Sequence, residues 1–277
     1  MSDSLITPNA TWSASPPLDA RSLELRQRIV QTLETSKRGH VGSAFSLVEI
    51  IRVLYDDILR YDSQIPKWPE RDRFILSKGH GCLALYMLLA EKGFFPDSEL
   101  SKVCLSDGIL GGHPDFKVPG VEASTGSLGH GLSIGVGFAL NEKYEKTGYR
   151  TMVLIGDGES NEGAVWEAAM SAGKHRLASL TVIVDYNKLQ SYGTTLEIQD
   201  MEPMADKWRA FGWAVAEVDG HSVDQLRSVL GALPIEQDRP SAVICHTVKG
   251  KGIPFAESNA DWHHKNRITP EEIDQLQ

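Results

Sequence analysis

Apolar residues recur along this chain with two different periods, and the switches between them mark out its elements. Leu25, Ile29, Val30 and Leu33 fall on one side of a 3.6-residue repeat, so the spacing predicts a helix over residues 23–36. Gly39-His40-Val41-Gly42-Ser43 breaks the repeat, and Ser46 stands where it would cap a second helix with Val48, Ile51, Leu54 and Ile58 turned inward. Arg73-Phe74-Ile75-Leu76 reads as a short strand ending in Ser77-Lys78-Gly79-His80, followed by a helix through Leu83, Leu85, Met87 and Leu88. Residues 106–131 are rich in glycine, proline and polar side chains and read as a functional loop region, with a helix after it over 132–144. The runs Thr151-Met152-Val153-Leu154-Ile155 and Leu180-Thr181-Val182-Ile183-Val184 are almost unbroken apolar stretches, as expected of strands buried on both faces. Residues 161–175 between them have the composition of a crossover helix. A strand over 213–218, a helix over 222–230 and a strand over 242–245 complete the pattern.

Strands alternating with helices predict an α/β fold, doubly wound, with a mainly parallel sheet and helices on both faces. In the central βαβ unit both strands end on the same edge of the sheet, which is where open α/β sheets bind ligands. Gly156-Asp157-Gly158 follows the first strand there, and Asn187 lies just past the second. A carboxylate beside a carboxamide offers hard oxygens suited to Mg²⁺ or Ca²⁺ that also holds phosphate oxygens. The flanking glycines let backbone approach a diphosphate closely. Asp-Gly is also a common turn pair; the strand before it, the helix after it and Asn187 set this one apart. Glu162 adds a second carboxylate near the turn, and as a charge at a helix start it equally suits the helix dipole.

Bulk properties narrow the classes. The length of 277 residues suits one large α/β domain or two small ones. A net charge of −9 with no basic block argues against nucleic acid or an anionic membrane as partner. No apolar run approaches the roughly 18 residues a membrane span needs. Met1 to Pro17 lacks a basic region followed by an apolar core, so it reads as a loose leader rather than a secretory signal. Cys82, Cys104 and Cys245 are an odd number without metal spacing, which fits buried or free thiols and a cytoplasmic location.

Histidines carry the strongest remaining signal. His40, His80, His113 and His130 each adjoin a glycine, and His263-His264 form a pair near the end. Any one alone is more often a surface or hydrogen-bonded core residue. Several in Gly-His loops at element ends point to one active site, because imidazole can donate to phosphate and hydroxyl oxygens or move protons near neutral pH. Thr125-Gly126-Ser127-Leu128-Gly129-His130-Gly131 is glycine-rich ahead of a helix, yet matches neither the nucleotide P-loop nor the dinucleotide fingerprint. Lys249-Gly250-Lys251-Gly252 has the make-up of a phosphate-holding loop and equally of a solvated one.

Gly156-Asp157-Gly158 with Asn187 resembles the thiamine diphosphate motif, and the chain as a whole resembles the N-terminal, diphosphate-binding domain of transketolase. Arg38-Gly39-His40-Val41-Gly42-Ser43, Leu76-Ser77-Lys78-Gly79-His80, Gly112-His113-Pro114, the 124–131 loop, Val218-Asp219-Gly220-His221, the 246–252 loop and Trp262-His263-His264 carry the resemblance in the family's order over about residues 20–268. It implies a loose leader at 1–17 and a single thiamine diphosphate-binding domain at 18–277. Asp157, Asn187 and the carbonyl of Leu189 would bind Mg²⁺ or Ca²⁺. His80 and His263 would contact diphosphate or reacting oxygens, and His40 and His113 substrate hydroxyls, with proton transfer. Gly126 and Leu128 would pack against the cofactor rings, Gly158 would approach the diphosphate, and Glu162 would join a carboxylate network at a subunit interface. Val41 stands where many full-length members have proline, and His130 where glutamine is common. Both departures look like the shorter, split members.

The resemblance also implies a partner. The family's pyrimidine-binding domain supplies the glutamate that activates the cofactor, and this sequence has no residues left for it. The expectation is a C-terminal transketolase subunit as obligate partner, an α2β2 assembly, and transfer of a two-carbon ketol unit between sugar phosphates. A deoxyxylulose-phosphate synthase, a 2-oxo acid dehydrogenase subunit and a non-catalytic cofactor-binding subunit are the alternatives. The combined Gly-His loops and the retained metal side chains weigh against them.

Overall fold

The apolar runs pair into one parallel sheet. In the computed structural model, which describes residues 17–259, 262 and 269–272, the chain begins with helices α1 (Ala20–Ser36), α2 (Val41–Phe45) and α3 (Val48–Val53). Strand β1 (Arg73–Leu76), helices α4 (Cys82–Glu91) and α5 (His130–Glu145), and strand β2 (Thr151–Gly156) follow. Next come α6 (Gly163–His175), β3 (Leu180–Tyr186), a short hairpin of β4 (Leu189–Gln190) and β5 (Gly193–Thr194), and helices α7 (Thr195–Ile198) and α8 (Met204–Ala210). Strand β6 (Ala214–Asp219), α9 (Val223–Gly231) and β7 (Ser241–His246) complete the series. The five-stranded sheet has the order β1-β2-β3-β7-β6, and every pairing in it is parallel.

Alternation within the buried strands feeds two cores. Met152, Leu154, Ile183, Val243 and Cys245 pack on one face with α1 to α4 and α9. Val153, Ile155, Val182, Val184, Ala242 and Ile244 pack on the other with α5, α6 and α8. Side chains along a strand point to opposite faces in turn, so a strand apolar at every position needs a layer on each side. The doubly wound α/β architecture is therefore present, with helices over both faces.

Several local expectations change. Ser46 does not start a helix: α2 already begins at Val41 behind His40, and Ser46 ends it. Its buried hydroxyl donates to Asp185 Oδ2 at 2.8 Å, a charge-assisted bond stronger than a cap. Residues 204–210, which show no long apolar period, form α8 because Met204, Ala205 and Trp208 complete the second core. Cys82 and Cys245 are buried, Cys104 is half-buried, and all three are free thiols. Among the described residues no helix is long and apolar enough to cross a membrane.

Close approach fixes α6 against the loop before β6. A Cβ added at Gly173 would sit 1.9 Å from the carbonyl oxygen of Phe211. In an open helix Gly→Ala gains about 1 kcal/mol; here Gly173→Ala is expected to lose at least ~2 kcal/mol net, as overpacking against backbone does. Thermal unfolding should show a Tm drop of roughly 5 °C, and an unchanged or raised Tm would contradict this packing.

Candidate functional site

Parallel strands bring four loops to one edge of the sheet. Ser77-Lys78-Gly79-His80 leaves β1, Asp157 leaves β2, Asn187 leaves β3, and Thr247-Val248-Lys249 leaves β7. The register places Gly156 beside Asp185 and Tyr186 beside His246, so these strand ends stand level. A cleft at this edge is lined by Lys78, His80, Leu128, Asp157, Gly158, Asn187, Leu189, Gln190 and Lys249, among others. Lys249 is only 2% exposed, so its loop is not a solvated one.

Asp157 is held by backbone on both oxygens. Gly158 N–H donates to Oδ1 at 2.7 Å, and Lys188 N–H donates to Oδ2. Lys188 adopts a left-handed φ of 65°, which turns the chain between Asn187 and Leu189. Asn187 Nδ2 donates to Asp185 Oδ2 at 3.0 Å, and its Oδ1 accepts from Leu189 N–H at 3.1 Å. That fixes the carboxamide orientation and leaves a lone pair on Oδ1.

Asp185, fully buried in β3, is the centre of the support beneath the cleft. Its carboxylate accepts from Lys78 Nζ, Ser46 Oγ, Thr247 Oγ1 and Asn187 Nδ2. Burial alone would raise its pKa; the Lys78 charge and the bonds from Lys78, Thr247 and Ser46 hold it below the ordinary carboxylate value. Glu159, buried just past Asp157, ties three loops: Oε1 accepts from Ser77 Oγ and from Gly129 N–H at 2.9 Å, and Oε2 from Gly156 N–H at 3.1 Å. Burial pushes its pKa up. The buried carboxylate beside the Gly-Asp-Gly turn is thus Glu159. Glu162 is exposed at the N-cap of α6 and makes no side-chain capping bond.

Burial shifts the ionisable groups of the cleft. Burial, then the Asp185 charge, raises the Asp157 carboxyl above its ordinary pKa. Burial, then the Lys78 charge, lowers the Lys249 ammonium. Gln190 Nε2 is a buried donor with no partner, although its Oε1 accepts from Asn161 Nδ2 at 3.3 Å. A cation beside Asp157 would favour its carboxylate, and an oxygen of an anion would give Gln190 Nε2 an acceptor. The donor set of carboxylate, carboxamide and carbonyl is that of Mg²⁺ or Ca²⁺. Among the described residues no three His, Cys, Asp or Glu side chains gather to hold a metal, so oxygens of a bound anion would have to complete the shell.

Next to the cleft the histidines converge. The His40 ring lies 5.8 Å from that of His80 and 6.3 Å from that of His113. His40 and His113 line a recess of about 230 Å³ with Arg38, Gly39, Cys82 and Gly112. Gly126, at φ 137°, lies under His113: a Cβ there would come 2.9 Å from the imidazole ring. His130 is exposed at the start of α5 and bonds through Nδ1 to the carbonyl of Leu128. His263 lies outside the described residues.

The structure therefore brings together Asp157, Gly158, Asn187, Leu189, His80 and Leu128, with His40, His113 and Gly126 adjoining. Sequence reasoning gives no part in the site to Asp185, Glu159, Thr247 or Gln190, and reads Ser46 only as a helix cap. A buried lysine after β1, in Ser77-Lys78-Gly79, is the available signal, since a buried ammonium demands a carboxylate nearby.

The family model described as "Transketolase, thiamine diphosphate binding domain" matches residues 21–277. An apulose-4-phosphate transketolase subunit of Phocaeicola vulgatus is 42% identical over 247 residues, covering 89% of this chain and 88% of that protein. A 6-deoxy-6-sulfo-D-fructose transketolase subunit of a Clostridium species is 44% identical over 227 residues, 82% of each. Among solved structures, the transketolase of Leishmania mexicana superposes with a TM-score of 0.86 at 29% identity, over 95% of this chain but 41% of that one.

Proposed function

The chain belongs to the transketolase family, and from that premise we propose that it is the N-terminal subunit of a two-chain transketolase. It moves a two-carbon ketol unit from a ketose donor bearing a phosphate or similar anionic end to an aldose acceptor. The observation that carries this reading is the convergence at one sheet edge of a backbone-held carboxyl, a fixed carboxamide and an orphaned amide donor, beside three clustered histidines.

Thiamine diphosphate, when bound, supplies the electron sink for carbon–carbon cleavage. Asp157, Asn187 and the Leu189 carbonyl would hold Mg²⁺ or Ca²⁺ against the diphosphate. Lys78 and Lys249 would offset its charge, Gln190 would donate to it, and Gly158 would leave room for it. Gly126 and Leu128 would pack against the cofactor rings. His40 and His113 would hold sugar hydroxyls and take or return a proton at them, and His80, with His263, would contact the diphosphate or the reacting oxygens. Glu162, exposed at the start of α6, would meet another chain.

The relatives named as transketolase subunits support a second chain. We propose a C-terminal transketolase subunit with the pyrimidine-binding domain, in an α2β2 assembly. The test is to purify this chain with that partner and assay ketol transfer over a panel of sugar phosphates, with apulose 4-phosphate and 6-deoxy-6-sulfofructose included. Turnover is expected only with both chains, thiamine diphosphate and a divalent cation. Ketol transfer by this chain alone would overturn the two-chain reading; pyruvate decarboxylation without ketol transfer by the complex would overturn the reaction.

A further inference from the structure

The end of β6 and the turn that leaves it, Val218-Asp219-Gly220-His221, lie outside the cleft, yet the histidine reaches the loop that carries Lys249. Arg26, Glu49 and His221 form a buried chain through the first core. Arg26 Nη1 donates to Glu49 Oε1 at 2.6 Å and Nη2 to Oε2 at 3.0 Å. His221 Nδ1 lies 2.8 Å from Glu49 Oε2, and Val248 N–H donates to His221 Nε2 at 2.8 Å. A backbone N–H can only donate, so Nε2 carries no proton, and Nδ1–H donates to Glu49. Both ends of the chain grip one loop. His221 holds Val248, and Arg26 Nε donates to the carbonyl of Lys251 at 2.8 Å. Between these two anchors sits Lys249, and Gly250 N–H adds a bond to the carbonyl of Gly42 at 3.1 Å.

We propose that His221, backed by Glu49 and Arg26, is a positioning residue that fixes the Val248–Lys251 loop and so keeps the Lys249 ammonium in the cleft. This rests on the reading of that cleft as the diphosphate site. The imidazole is the only side chain in the chain of three that spans from Glu49 to Val248. Its two ends are separable by substitution. In His221→Gln the amide can reach the Nε2 position and accept from Val248; in His221→Asn it is too short and can satisfy Glu49 alone.

The experiment is a thiamine diphosphate titration of the complex purified with its partner subunit, reading the half-saturating cofactor concentration and kcat at saturation, with Tm alongside. His221→Asn should raise half-saturation by about 10–100-fold, the range seen when a group behind a ligand is lost, while kcat returns at saturating cofactor. His221→Gln should stay within about 3-fold of wild type, following the same rule that the retained bond preserves the site. A purely structural role would lower Tm in both variants without separating them in half-saturation, and that result overturns the proposal. If His221→Asn does not fold, Arg26→Lys, which keeps its charge by Glu49 but cannot reach Lys251, must raise half-saturation instead; no rise overturns the proposal. Lys249→Met separates the two levels of argument. A normal cofactor titration in that variant removes the diphosphate reading itself, whereas a weakened one beside an unaffected His221→Asn removes only the role of His221.

Discussion

Asp157→Ala is expected to abolish divalent-cation-dependent binding of thiamine diphosphate while leaving the fold in place. The side chain follows β2 at the ligand-binding edge of the sheet and is 2% exposed. It is the one carboxylate among the three groups proposed to hold the cation, the others being neutral oxygens. Removing it deletes the only formal negative charge in that shell and leaves two backbone N–H groups, those of Gly158 and Lys188, without their acceptor. The loss should exceed the roughly 10–100-fold typical when only a group behind a metal ligand is removed. Asp157→Asn separates the two contributions. It keeps an oxygen to accept from backbone but gives up the charge, so its Tm should stay near wild type while cation dependence is lost. Calorimetric titration of cofactor with and without Mg²⁺ reads both. Wild-type affinity and an intact Mg²⁺ requirement in Asp157→Ala would remove Asp157 from the site.

That residue is legible in the sequence, and the reason shows where legibility stops. Asp157 and Asn187 follow long apolar runs, and parallel topology alone puts both on one edge. The histidine loops are legible for the same reason: glycine beside histidine at an element end is a local signal. Asp185 is different. It continues the run Leu180 to Val184 inside β3, where a carboxylate has no local reason to be, and three of its four partners lie 107, 139 and 62 residues away in Lys78, Ser46 and Thr247. Period and propensity report neighbours along the chain, whereas this cluster exists only after the sheet and α2 have assembled. Ser46 misleads on the same account, since a serine before an apolar repeat is an N-cap by every local rule. Helix α8 escapes for another reason: seven residues are too few to establish a period, and packing of Trp208 into the second core decides its form.

Asp185→Ala should therefore have the largest effect on stability of any single change at this site. Four donors converge on its carboxylate, and one of them is the ammonium of Lys78, itself only 1% exposed. Breaking a buried pair by removing one partner typically costs about 3–5 kcal/mol, because the remaining charge stays buried without compensation. The cost is compounded here. Lys249 is a second buried ammonium close enough for the Lys78 charge to lower its pKa, and Asp185 opposes that repulsion. For a chain of this size the expected fall in Tm is roughly 10 °C. The double variant Lys78→Met, Asp185→Leu removes one charge of each sign and fills the space with apolar atoms. Volume-matched replacement of a buried pair is often neutral, so the double variant should recover most of the lost Tm. Its cofactor affinity should not recover, because Asn187 has still lost the acceptor that orients its carboxamide and the cleft has lost one of its two cations. Thermal unfolding and cofactor titration of the two variants together decide the point. If the double variant is no more stable than Asp185→Ala, the pair does not account for the instability. If it also binds cofactor like wild type, Asp185 and Lys78 serve the fold alone.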